Sequence, residues 1–175
     1  MKKRKTPFNI ILTVALLVTT LAAQSKSVWT DENFSGLKLR GVGPALMAGR
    51  IADIAIHPHD DNIWYVAVGS GNLWKTINAG VTWTTIFDDQ GSYSTGTVTI
   101  DPNNPETVWL GTGENVGGRH VGYGDGIYRS DDGGQSWANM GLKESERISR
   151  IIVHPDNSDI IWVAAQGPLW SKGGE

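Results

Sequence analysis

The sequence predicts an all-β fold, a β-propeller of four-stranded antiparallel blades, with about two and a half blades inside its 175 residues. Three observations predict it. The phrase Thr76-Ile-Asn78-Ala-Gly80-Val-Thr82-Trp83 returns 54 residues later as Ser130-Asp-Asp132-Gly-Gly134-Gln-Ser136-Trp137. Apolar runs closed by His-Pro or Asp-Pro end at Pro58, Pro102 and Pro155, which are 44 and 53 residues apart. A second apolar run carrying a tryptophan follows each, at Trp64, Trp109 and Trp162. Landmarks that keep one order at similar spacing are the mark of blades repeated around an axis.

Residues 1–24 stand apart from that pattern. Lys2 to Lys5 is a basic opening, residues 8–21 are apolar, and small residues follow at Ala22 and Ala23. This is the layout of a bacterial signal peptide. The apolar run of about 14 residues is shorter than the roughly 20 that a spanning helix needs. The protein is therefore expected to be secreted or periplasmic, with no transmembrane segment after the signal peptide.

Removing that segment takes four positive charges from a formal net charge of −3, leaving about −7. A nucleic-acid partner is disfavoured, because phosphate binding needs a basic footprint. With no cysteine, neither disulfides nor a lipid-modified cysteine contribute, and burial alone must stabilise the fold.

The remaining elements follow in order. Residues 25–36 form a polar lead-in. Residues 37–175 are expected to be the N-terminal part of the propeller. Alternation over 37–42 predicts a strand that closes the ring by completing the last blade. The first blade spans 49–87, with strands at 51–56, 63–68, 73–77 and 82–87. The second spans 95–141, and a partial third spans 148–175. Weak alternation in 51–56 is expected of an inner strand packed on both faces. A propeller closes with at least four blades, and an open arc leaves sheet edges exposed. The missing blades are expected from a further part of the same polypeptide beyond Glu175. The alternative is a short protein that completes its ring by oligomerising. Residues 171–174 are read as the start of another insertion, because Gly173 stands where the turn phrase needs Asp or Asn.

The repeated phrase has a mechanical explanation. The side chain of Asn78 or Asp132 can accept backbone N–H groups of its own turn, helped by the hydroxyls of Thr76 and Thr82 or of Ser130 and Ser136. Gly80 and Gly134 can take a positive φ freely. Trp83 and Trp137 can then cover the hairpin and pack between blades. These residues are structural. Calcium at Asp131-Asp132 is disfavoured, since the ligand spacing of a calcium loop is missing. His57 and His154 each precede a proline at repeat-equivalent places, which points to turn chemistry. No metal and no cofactor are expected.

The phrase resembles the Asp-box, or BNR repeat, of sialidases, xyloglucanases and sortilin-type receptors. The stretches Arg40-Gly-Val-Gly-Pro44-Ala-Leu-Met-Ala-Gly49-Arg50 and Gly113-Glu-Asn-Val-Gly-Gly-Arg-His120-Val-Gly-Tyr-Gly-Asp125 resemble the sortilin-like N-terminal region of large secreted bacterial proteins, often labelled glycosyl hydrolases. The resemblance covers 37–175 and implies a many-bladed propeller with Asp-box hairpins. A sialidase-like site implies an Arg-Ile-Pro step, but Arg50-Ile51 is followed by Ala52. A xyloglucanase-like site implies an Asp just after the second strand of the first blade. The matching stretch, Val68-Gly69-Ser70-Gly71-Asn72, has no carboxylate.

One segment exceeds structural need. The second repeat carries an insertion of about nine residues, within 114–125, between its second and third strands. It holds Glu114, Arg119, His120, Tyr123 and Asp125 among glycines, and loops on rigid scaffolds often carry function. Glu114 and Asp125 are weak candidates for an acid/base pair, which would need about 5–9 Å between carboxyls. The other readings are a loop lining a ligand face and a self-packed loop with Arg119 paired to Asp125. Arg50, at the head of the first inner strand, either points to the channel or bridges to an acidic neighbour.

These residues lead to a secreted, sortilin-like propeller that binds a protein, peptide or glycan ligand on its face or in its channel. No catalytic residue is assigned on that reading. The alternative is a carbohydrate-active glycoside hydrolase, sialidase- or xyloglucanase-like, on the same toroid.

Overall fold

The computed structural model describes residues 35–36, 49–117 and 121–170. The expected signal peptide, most of the lead-in, the strand at 37–42, the insertion read at 171–174, and Arg119 with His120 lie outside the described residues. The molecule divides into two compact units, 1–40 and 41–175, and every described strand belongs to the second.

Two four-stranded antiparallel sheets repeat one plan. The first joins β1 (Ile51–Ile56), β2 (Trp64–Val68), β3 (Asn72–Thr76) and β4 (Thr84–Thr85) in sequence order. The second joins β5 (Thr95–Ile100), β6 (Val108–Thr112), β7 (Ile127–Ser130) and β8 (Ala138–Gly141) in the same way. A 3-10 turn at Lys143–Ser145 leads to β9 (Ile148–His154) and β10 (Asn157–Ala165), which pair antiparallel. β4 is far shorter than the expected strand over 82–87. The side chain of Asn78 takes the Thr82 N–H (2.8 Å), so the ladder starts only at Thr84.

The register corrects one landmark. Ile56 lies opposite Trp64, Ile100 opposite Val108, and Val153 opposite Ile161. Trp109 and Trp162 therefore share the position of Tyr65, and Trp64 is one residue out of step. In a strand one residue means the opposite face. Trp64 accordingly lies with Ile54, Val66 and Val68 on the other face of the first sheet, around an apolar cavity of about 470 Å³. Trp109 faces the third sheet and is buried.

Each sheet packs on the next. Tyr65, Ala67, Leu73 and Phe87 of the first repeat bury against Val98, Val108, Leu110 and Tyr128 of the second. Trp109 and Ile127 bury against Ile148, Ile151 and Val153. Full burial of such side chains stabilises by about 1.5–3 kcal/mol apiece. Trp137 closes the first interface: it stands edge-on to Phe87 at 5.4 Å and donates its indole N–H to the Ile86 carbonyl at 2.8 Å. Trp83, its repeat counterpart, packs instead against Trp64.

The two turns are held alike. Asp132 accepts the backbone N–H groups of Gln135 and Ser136 and the hydroxyls of Ser130 and Ser136. Asn78 accepts the Thr82 N–H and the Thr76 hydroxyl, and its amide donates to the Thr82 hydroxyl. Ser130 and Thr76 in turn accept the N–H groups of Gly134 (2.8 Å) and Gly80 (3.0 Å). Both glycines sit at positive φ, 93° and 87°, where a side chain would be strained.

Candidate ligand face at the heads of the inner strands

The inner ladders end identically. Gly69 donates to the Arg50 carbonyl, Gly113 to that of Ser94, and Gln166 to that of Arg147, each at 2.8 Å. Arg50, Ser94 and Arg147 are thus equivalent, and so are the next residues along, Ser70, Glu114 and Gly167. Glu114 therefore occupies, in the second blade, the place that Ser70 holds in the first.

Glu114 does not stay within its own blade. Its carboxylate reaches the first sheet, forming an ion pair with the Arg50 guanidinium and accepting the Ser70 hydroxyl at 2.8 Å. It is 2% exposed, whereas the Arg50 side chain is 53% exposed. Space for the carboxylate depends on Gly69, where a Cβ would stand 2.9 Å from Glu114 Cγ and Oε1. Asn115 extends the bridge, donating its amide to the Gly96 carbonyl at 2.8 Å.

A serine pair gathers the loops around this bridge. Ser94 Oγ lies 2.5 Å from the Gly69 carbonyl and 3.2 Å from that of Gly122. Ser92 Oγ lies 3.1 Å from the Tyr123 carbonyl and accepts the Ser94 N–H. Asn72 donates its N–H to the Tyr93 carbonyl at 2.8 Å. The β2–β3 loop, the segment before β5 and the long β6–β7 loop therefore meet on one face. Tyr93 and Tyr123 project from it, 61% and 52% exposed.

Asp125 is engaged elsewhere. It accepts the Tyr128 hydroxyl at 2.6 Å and lies 3.3 Å from Thr112 Oγ1. Burial, and then the hydrogen bond to Asp125, push the Tyr128 phenol above its ordinary pKa. Glu114 and Asp125 thus have separate partners, and the structure joins Glu114 to Arg50 instead. Ser70, Ser92, Tyr93, Ser94 and Asn115 escaped sequence reasoning. Only Tyr93 carried a signal, an aromatic among small polar residues just before an inner strand.

Asp53 of β1 bridges to β5, accepting the Thr97 hydroxyl at 2.7 Å and the Val98 N–H at 3.2 Å. Among the described residues, no three His, Cys, Asp or Glu side chains are grouped to hold a metal ion. No helix among them is long and apolar enough to cross a membrane.

No family model matches the sequence. A xyloglucanase from Hypocrea jecorina is 28% identical over 156 residues, covering 80% of this chain and 18% of that protein. A xyloglucanase from Acetivibrio thermocellus is 34% identical over 106 residues, covering 48% of this chain and 12% of its own length. The GH74 enzyme of Niastella koreensis superposes with a TM-score of 0.52 at 27% identity, covering 65% of this chain and 17% of that one. Fold and relatives together define a β-propeller of the kind carried by large glycosyl hydrolases. The chain spans less than a fifth of the length of the curated relatives it matches.

Proposed function

We propose that the protein is an arc of a carbohydrate-active propeller, a glycoside hydrolase of xyloglucanase type, whose loop face around Arg50 and Glu114 holds a β-linked glucan. This places the glycoside hydrolase alternative ahead of the sortilin-like receptor. The similarity to a xyloglucanase over 156 residues carries the reading.

The arrangement of Glu114 supports a binding role for this arc more than a hydrolytic one. A hydrolytic pair needs two carboxyl groups facing one glycosidic bond, about 5–9 Å apart. Glu114 is committed to Arg50 and Ser70, and Asp125 to Tyr128. The turn hairpins are read as Asp-box elements, and residues 1–24 as a leader for export.

Incubating the protein with soluble xyloglucan and assaying reducing ends tests the reading. Retardation in a xyloglucan gel with release of reducing ends supports the hydrolase. Retardation without release keeps glycan binding and removes hydrolysis. Absence of both returns the sortilin-like reading, to be tested with peptide ligands.

A further inference from the structure

The first blade grips the second with a pair of donors that the second blade repeats. Tyr65 and Lys75 lie opposite each other on β2 and β3, with the ammonium 5.1 Å from the ring centroid. Both donate to the Gly133 carbonyl, in the turn of the next blade's β7–β8 hairpin, at 3.1 and 2.7 Å. One blade on, the same positions hold Trp109 and Arg129. They too lie opposite each other, with the guanidinium 5.5 Å from the ring centroid. Trp109 buries against the third sheet as Tyr65 buries against the second. The buried Trp109 indole N–H, however, has no acceptor among the described residues. Arg129 is drawn back to the exposed Asp131 of its own hairpin at 2.7 Å. Buried donors are normally satisfied, and an exposed ion pair holds weakly. The two donors that close the first seam are therefore uncommitted at the second.

We propose that Trp109 and Arg129 seat the turn carbonyl of a third hairpin of this repeat, added along β10. The third sheet has the place for it. Among the described residues it consists of β9 and β10, which correspond to the first two strands of the other sheets. In those sheets the strand that pairs next, β3 or β7, leads into the turn. As β3 follows β2 and β7 follows β6, the occupant is the strand pair that follows β10 in the same polypeptide. It is closed by an Asp or Asn turn of the kind at 76–83 and 130–137. On docking, the Arg129 guanidinium turns from Asp131 to the carbonyl, as Lys75 does at the first seam, and the indole N–H gains its acceptor. Hydrogen bonds from a charged donor are the stronger kind, so Arg129 contributes most of the grip and Trp109 fixes its direction. The inference stands apart from the carbohydrate reading: it concerns how one blade recognises the next.

A peptide of residues 127–141, joined end to end so that its turn is preformed, serves as the probe. It is titrated into the 175-residue protein carrying nitrogen-15 at its tryptophans. The Trp109 indole N–H, identified by its loss in Trp109→Phe, should move downfield as it gains an acceptor. Trp109→Phe and Arg129→Ala should each weaken binding by roughly three- to tenfold. Arg129→Lys should restore it, because the first blade does the same work with Lys75, and Trp109→Tyr should bind like wild type, because the first blade uses Tyr65. Arg129 is partly exposed, so its variants should melt with the wild type. Equal binding to Trp109→Phe and Arg129→Ala means that the hairpin adds to β10 without this seat, and overturns the proposal. An indole resonance that stays in place while the peptide binds overturns it as well, and so does a peptide that fails to bind.

Discussion

Arg50 and Glu114 stand 64 residues apart in sequence and form an ion pair across the seam between the first two blades. The geometry is asymmetric. The carboxylate is buried and also holds Ser70, while the guanidinium is half in solvent. Removing the acid strands two donors, and removing the arginine strands a buried charge. The pair therefore couples blade stacking to the shape of the loop face.

Replacing Glu114 with Gln keeps the Ser70 contact and loses the charge pairing. The expected cost is about 1–2 kcal/mol, below that of breaking a fully buried pair, because Arg50 is half solvated. Gly69→Ala should cost at least as much, since its Cβ would stand 2.9 Å from the Glu114 carboxylate. Urea unfolding checks both. A Gly69→Ala variant as stable as wild type would show that the carboxylate can move aside.

The Asp132 carboxyl is held down from 3.8 to about 2 by hydrogen bonds from the Ser136 hydroxyl and N–H, then from Ser130 and Gln135. A group with a depressed folded pKa contributes stability that is present above its unfolded value and lost as the pH falls through its folded one. Melting temperature should therefore fall as the pH drops through the window from about 4 to about 2. Asp132→Asn should flatten that part of the profile, as the first turn already uses Asn78. An unchanged acid profile in Asp132→Asn would assign the acid sensitivity to other carboxylates.

Gly134→Ala and Gly80→Ala should differ. Both glycines lie at positive φ, which costs an alanine about 1 kcal/mol. At Gly134 the new methyl would also stand 2.6 Å from Ile86 Cδ1 of the neighbouring blade, whereas at Gly80 the nearest atom is 3.4 Å away. Overpacking adds about 1–3 kcal/mol, so Gly134→Ala should be clearly the less stable by denaturant midpoint. Equal midpoints would mean that Ile86 repacks freely.

The Gly133 carbonyl is clamped from the first blade by the Tyr65 hydroxyl at 3.1 Å and the Lys75 ammonium at 2.7 Å. Burial, followed by the charges of Glu106 and Asp132, pushes the Tyr65 phenol up to about 12. Its contribution to stability is full below the ordinary value of 10.0 and is lost as the pH rises towards 12. Tyr65→Phe should cost about 0.5–1.5 kcal/mol at neutral pH. It should also remove the last phenolate to appear in an ultraviolet alkaline titration of the folded protein. If that late step persists in the variant, it belongs to another tyrosine.

The site was only partly legible in the sequence. Glu114 and Tyr123 stood out because an insertion among glycines interrupts a repeat. Their partners did not, because Ser70, Ser92 and Ser94 are ordinary loop residues until three loops meet. Glu114 and Asp125 invite pairing by being the acids that bound one loop, yet Asp125 turns to Tyr128 on the adjacent strand. Arg119 and His120 lie outside the described residues.

By itself the sequence determined the blade plan: antiparallel inner and middle strands, prolines ending the inner ones, and Asp or Asn turns with a glycine at positive φ. Those features depend on residues within a few positions of each other, where alternation and turn chemistry act. Only the tertiary structure decided that Trp64 is out of step with Trp109 and Trp162, because register is a property of paired strands. Only it decided that Glu114 crosses to Arg50 and that the Tyr93 and Tyr123 loops share one frame. Those choices depend on how twisted sheets stack, which brings together residues that no local pattern relates.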